Sequence, residues 1–244
     1  MITDILINKM GFTNTTHERN LYTGMIDGEE VIVCRQVDDF ASGSAKQETA
    51  EKFIKLLHQH VKAEFAGMGV ETEQGTYQRY NGIDVYQSKD QVIMNCASYL
   101  ERMCETHGWN NPKPREIAPE KAIPLNPSMA PRLQSLVGPT AGSPEAKEIA
   151  RRHGFSYRTV LGELIYAYVI CRTDIGFSVC FLARFSDHPH DEHYKALRAI
   201  CTYLRITKDW GLVFQRPKPL DDLPEARFEY VQVDANLPEF PTVH

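Results

Sequence analysis

The first strongly apolar run, Val31–Val37, reads as a strand. The segment before it, Asn20-Leu21-Tyr22-Thr23-Gly24-Met25, is also strand-like, and Asp27-Gly28 between the two is a hairpin-type dipeptide. The two runs are therefore expected to pair antiparallel, with Phe40–Gly43 starting a third strand. Residues 2–12 read as the last turns of a helix with Gly11 at its C-cap. Ser44 with Gln47 fits a capping box, and Ala50, Phe53, Leu57, Val61 and Phe65 recur at helical spacing, so an amphipathic helix is expected over 45–66, ended by Gly67-Met68-Gly69.

Further along, Thr76–Val85 and Gln91–Asn95 read as two strand-like arms, and a helix between Ser98 and Gly108 carries Leu100, Met103 and Cys104. Residues 110–148 are rich in Pro, with Gly and Ser, and read as a long irregular connection. Three helices then follow at short intervals. One begins at Ser156, one near Thr173-Asp174, and one near Asp187-His188-Pro189 with Pro in its first turn. Gly211–Phe214 and Phe228–Asp234 read as strands, with Pro217-Lys218-Pro219 as a linker. The opening on a helix tail and the closing strand without a partner read as cut ends, so the chain is expected to be a fragment.

A chain of 244 residues with 42% hydrophobic and 24% charged positions builds an ordinary globular core. The net charge of −5 excludes a globally basic nucleic-acid coat, although binding nucleic acid requires only a locally basic groove. Six scattered cysteines without a Cys-x-x-Cys pair fit free thiols in a reducing compartment. No signal peptide is visible, and the longest apolar run, Leu164–Cys171, is too short for a bilayer. An intracellular protein of the cytoplasm or nucleus, with no membrane partner, is expected.

The candidate chemistry sits at the end of the second hairpin arm, where Asp38 and Asp39 adjoin. Two neighbouring carboxylates on a fixed turn repel each other, and a hard divalent cation, Mg²⁺ or Mn²⁺, relieves the repulsion. Paired metals bridged by Asp activate a 3′-hydroxyl and stabilise leaving pyrophosphate in polymerases. The plain alternative is a solvated turn, where Asp is common. Arg158, Lys195, Arg198, Arg205 and Lys208 are candidate phosphate contacts, or else a solvated helix face. His188, His190 and His193 have a zinc-like look, but Pro189 splits them and no Cys is near, so a structural role is expected. His58 and His60 read as surface residues, and Trp109 and Trp210 as packing residues.

In order and spacing, these segments resemble the reverse transcriptase region of copia-type LTR-retrotransposon polyproteins. Gln36-Val37-Asp38-Asp39-Phe40 looks like that family's Tyr-Val-Asp-Asp box. Tyr80-Asn81-Gly82-Ile83-Asp84-Val85 is similar to its primer-grip strand. Tyr157-Arg158, Leu161–Tyr166 and Arg172-Thr173-Asp174-Ile175 follow its next block. His193, Ala199–Leu204, Thr207-Lys208 and Gly211-Leu212 fit the one after, and Val233-Asp234-Ala235 looks like the start of an RNase H domain.

The resemblance implies an α+β fold. Residues 1–92 would be the C-terminal half of a polymerase palm, an antiparallel sheet with helices on one face. Residues 93–210 would be a helical thumb, with 110–150 as its irregular connection. Residues 211–244 would be a tether and the first strand of RNase H. It implies RNA-directed DNA polymerisation with Mg²⁺ (or Mn²⁺) as cofactor and a template–primer duplex and dNTP as partners. Asp38 and Asp39 would be the second and third catalytic carboxylates, Asp234 an RNase H metal ligand, and Tyr80, Asn81 and Gly82 the primer grip. The family's first palm aspartate has no counterpart here, and Gln36 replaces the Tyr of the box, so this chain alone is expected to be inactive. The alternative from another class is a non-catalytic remnant that binds nucleic acid or a protein partner.

Overall fold

The structure, a computed structural model, describes residues 2–37, 39–62, 69–110 and 122–216. It is α+β, with two antiparallel sheets and a helical cluster. The first sheet runs β1 (Thr13–Asn14), β2 (Leu21–Ile26), β3 (Glu29–Gln36) and β4 (Asp39–Ser44), each hydrogen-bonded to the next. The β2–β3 hairpin closes at Asp27 and Gly28, whose φ values of 52° and 81° match the right-handed twist of its strands. Its register pairs Tyr22 with Val33 and Gly24 with Val31.

Alternation along β3 decides which face is covered. Val31 and Val33 are buried, whereas Ile32, Cys34 and Gln36 are exposed on the other face. The apolar stripe of α2 (Gln47–His58), Phe53 and Leu57, shares one core with Val31, Val33, Tyr22 and the amino-terminal Ile5, Leu6 and Phe12. A short helix α1 (Ile2–Asp4) and a π-helical turn, Ile5–Lys9, bring in that amino-terminal group. One face of the sheet is thus backed by helix and the opposite face is open.

Two expected boundaries moved. Ser44 does not cap α2, because its hydroxyl donates to the Glu30 carbonyl as a β4 residue, and Lys46 takes the N-cap place without a side-chain cap. The helix ends at His58 rather than 66, leaving through 3₁₀-type bonds from Gln59 to Leu56 and His60 to Leu57. Residues 63–66 of the expected helix lie outside the described residues.

The second sheet runs β5 (Val70–Thr72), β6 (Gly75–Tyr80), β7 (Ile83–Gln87), β8 (Gln91–Asn95) and β9 (Gly211–Gln215). The expected arm 76–85 is split by the turn Asn81–Gly82, so it supplies two strands. The strand expected at Gly211–Phe214 is β9; it pairs with β8, Ile93 opposite Val213, and so belongs to this sheet.

Ile83 and Met94 of this sheet pack on the larger core, formed by α3 (Ala97–Thr106), α4 (Ala130–Ser135), α5 (Pro144–His153), α6 (Tyr157–Ile170), α7 (Gly176–Ala183) and α8 (Asp191–Ile206). A 3₁₀ turn, Pro127–Met129, with α4 and the start of α5, occupies part of the stretch expected to be irregular. The prolines there sit at first-turn positions, where a missing N–H costs nothing. Residues 111–121 fall outside the described residues. Asp191 rather than Pro189 begins α8, since His190 is its N-cap.

Candidate nucleic-acid interface

The β3–β4 connection is a two-residue turn between the paired residues Gln36 and Asp39. Its first residue, Val37, has φ 54°, a left-handed conformation that a β-branched side chain adopts only under constraint. Asp38 lies outside the described residues, as does Asp234. Asp39 is exposed, and the register puts it on the open face with Gln36, Cys34, Ala41 and Ile32, opposite α2.

The second sheet reaches this face through Tyr80, the last residue of β6. Burial pushes its hydroxyl pKa up to about 12, with contributions from Cys34 beside it and from the negative charge of Asp39. That hydroxyl is buried, with the Cys34 side chain as its polar neighbour. The structure therefore sets Tyr80 beside Cys34, on the sheet face that also carries Asp39, about forty positions away in the sequence.

Asn81 and Gly82 follow as the β6–β7 turn, with φ values of 48° and 76°. Gly82 is needed here for space as well as for φ, since a Cβ would stand 2.5 Å from the Tyr166 hydroxyl. Tyr166, on α6, donates that hydroxyl to the Asn81 carbonyl at 2.8 Å. The buried Asp84 then ties the hairpin to the start of α3. Its carboxylate accepts the Ser98 N–H at 2.8 Å, the Tyr77 hydroxyl at 2.8 Å and Arg79 Nε at 3.2 Å. Burial opposes its ionisation, but these donors outweigh it and hold its pKa below the usual carboxylate range.

A metal needs more donors than the described residues supply. Among them Asp39 is the only carboxylate placed at this turn, and no group of three or more His, Cys, Asp or Glu forms a cation site. The described residues do not complete a Mg²⁺ site.

The candidate phosphate contacts are mostly engaged inside the protein. Arg158 donates to Asp187 and to the Ser186 carbonyl. Lys195 bridges Glu192 at 2.7 Å and Asp191 at 2.9 Å, and Lys208 pairs with Glu101. Arg198 lies 3.9 Å over the Trp109 ring, and burial lowers its pKa. Arg205 and Arg198 both act on the buried Cys104 thiol; burial raises its pKa and the two guanidinium charges oppose the rise. Trp109 is buried, in line with packing, while Trp210 is half exposed and meets Tyr203 edge-on.

The histidine cluster is structural. His193 is buried, its Nδ1 accepts the His190 N–H at 3.0 Å, and its Nε2 faces the Leu133 carbonyl at 2.8 Å, an arrangement that needs the neutral ring. The Arg172-Thr173-Asp174 block forms a second structural knot. Buried Arg172 donates to both Asp174 oxygens, at 3.0 and 2.7 Å, and to the Thr207 carbonyl and hydroxyl, at 3.0 and 2.7 Å.

Sequence reasoning gave no separate role to Tyr166 or Asp84. Both stood inside quoted motifs, but nothing in the sequence shows that a hydroxyl on one helix meets a turn 85 residues away.

No protein-family model matches the chain, and no solved structure matches it. Over 148 residues, 60% of the chain, it is 30% identical to the retrovirus-related Pol polyprotein from transposon TNT 1-94 of Nicotiana tabacum, and it spans 10% of that protein's length. It is 20% identical over 246 aligned positions to a putative transposon Ty5-1 protein of Saccharomyces cerevisiae, covering 95% of this chain and 71% of that protein. A secreted RxLR effector protein of Plasmopara viticola is 33% identical over 60 residues, 25% of this chain and 42% of that protein. Among the described residues no helix is long and apolar enough to cross a membrane. At low identity, the similarity to retrotransposon polyproteins supports a retroelement origin for this chain.

Proposed function

We propose that this chain is part of a copia-type reverse transcriptase. Its first sheet would carry the palm carboxylates, and its β6–β7 turn would hold the primer. The observation that carries the reading is the exposed position of Asp39 on a helix-backed sheet face, with Tyr80 beside Cys34 of the same face. In this arrangement the open face receives the 3′ end of a primer paired to an RNA or DNA template. The Tyr80-Asn81-Gly82 turn limits how far that end can move. Mg²⁺, held by Asp38 and Asp39 in the whole polymerase, would supply charge neutralisation at the incoming dNTP. The protein's own part is to bind the duplex end, orient it and keep Tyr80 neutral beside a carboxylate.

Binding of nucleic acid chiefly through α8 and the turn after it would have to displace existing partners. Lys195 and Lys208 are held by acids, and Arg198 by Trp109. Exposed ion pairs are weak, so phosphates can still compete for these cations, at a small cost.

Affinity for an RNA–DNA hybrid with a recessed 3′ end, compared with a blunt hybrid of equal length, tests the proposal. The recessed hybrid should bind several-fold more tightly in Mg²⁺, and Asp39→Ala should abolish that preference. Equal affinity for both hybrids would refute it. A polypeptide of these 244 residues, with two of three palm carboxylates, should bind without extending the primer; robust extension would contradict the assignment of the missing carboxylate.

A further inference from the structure

Tyr166 ties the helical cluster to the turn that the proposed function treats as the primer holder. It leaves the middle of α6, and its hydroxyl reaches the carbonyl of Asn81. The approach is close enough that only a glycine fits at position 82. The ring is itself braced. Tyr99 of α3 lies 4.7 Å away centroid to centroid, and the Tyr99 hydroxyl donates to the Glu163 carbonyl of α6 at 3.1 Å. The Glu163 carboxylate meets His107 at 2.7 Å, beyond the end of α3. Two helices therefore fix the ring, and the ring fixes the turn.

We propose that Tyr166 is a positioning residue for that turn. By holding the Asn81 carbonyl it sets the height of Tyr80 over the open face that carries Asp39. This inference rests on the proposed function for its purpose, although the hydrogen bond itself does not. The chemistry is specific. A single hydroxyl on a half-buried ring satisfies the Asn81 carbonyl, in a two-residue turn whose φ values are both positive. Removing the hydroxyl leaves the packing of the ring and frees the turn.

The test is Tyr166→Phe in the full chain. Amide hydrogen exchange at Gly82 and Ile83 should quicken roughly 3- to 10-fold, the loss of one hydrogen bond. Affinity for the recessed hybrid should fall by a similar factor, while affinity for the blunt hybrid and the thermal midpoint stay near wild type. Gly82→Ala should destabilise less in the Y166F background than alone, because the atom its Cβ meets at 2.5 Å is gone. Unchanged exchange at Gly82 and Ile83 would overturn the proposal whatever the nucleic acid does. Faster exchange with unchanged recessed-end affinity would overturn the positioning role alone. If wild type shows no preference for the recessed end, the proposed function falls and the positioning role with it.

Discussion

The Asp84 carboxylate accepts the backbone N–H of Ser98 at 2.8 Å, so one buried acid on β7 binds the first turn of α3, fourteen residues further along the chain. The second sheet and the helical cluster meet at this bond. Asp84→Ala would leave the Ser98 N–H and the Tyr77 hydroxyl without their acceptor, at a cost of about 1–3 kcal/mol in urea unfolding. The pH dependence follows from the lowered pKa. The unfolded chain holds the proton more readily, so this stability is fully present above about pH 4 and lost as pH falls through the lower folded value. Acid titration should show wild type more stable than D84A above about pH 4 and the two converging as pH falls below it.

Arg172 is the most deeply placed cation among the described residues, 1% exposed, with Asp174 and Thr207 as partners. Truncation to Ala should cost about 3–5 kcal/mol, because Asp174 loses its cation, keeping the Tyr203 hydroxyl, and the Thr207 carbonyl loses its buried donor. Arg172→Lys should recover little, since one ammonium cannot reproduce the two-point contact with Asp174. Chemical denaturation of the two variants checks both expectations.

His193 gives a second window on pH. Burial lowers its pKa, against the opposing pull of the Leu133 carbonyl. The unfolded chain therefore takes up a proton first. The stability His193 contributes is complete above its unfolded pKa of about 6.5 and declines as pH falls through the folded value. Wild type should lose stability from pH 7 towards pH 5. His193→Gln should be less stable at pH 7 and flatter across that interval. An equal slope in both would contradict the neutral-ring assignment.

Val37 occupies left-handed backbone at φ 54° while 73% exposed, so its side chain gains nothing from packing. Val37→Gly should release about 1–2 kcal/mol of strain and return part of it as unfolded-state entropy, a net gain of about 0.5–1 kcal/mol. The thermal midpoint should rise by a few degrees. If the strain serves the proposed site, the same variant should bind the recessed hybrid less tightly, which separates a functional turn from a merely tolerated one.

Much of this was legible in the sequence because the signals were local. Asp27-Gly28 gives a two-residue hairpin almost alone, and the spacing of Ala50, Phe53 and Leu57 gives α2 its buried stripe. The structural nature of His193 was legible from Pro189 and the acidic first turn of α8. What stayed hidden depends on distance along the chain. The pairing of β9 with β8 joins residues 211–215 to 91–95, and no periodicity carries that information. Helices in the Pro-rich stretch were masked because Pro at a first turn and Pro in a loop look alike. Arg158 and Lys208 read as phosphate-facing, because the acids that hold them lie far off in sequence or on a neighbouring loop.

The central claim places a primer end on the open face of the first sheet. A hybrid whose primer carries a photoreactive 3′-terminal base measures this directly, with cross-linked peptides read by mass spectrometry. The account predicts adducts on the peptides that hold Cys34 and Tyr80, lost in Asp39→Ala. Adducts confined to α8, with none on the sheet face, would contradict it.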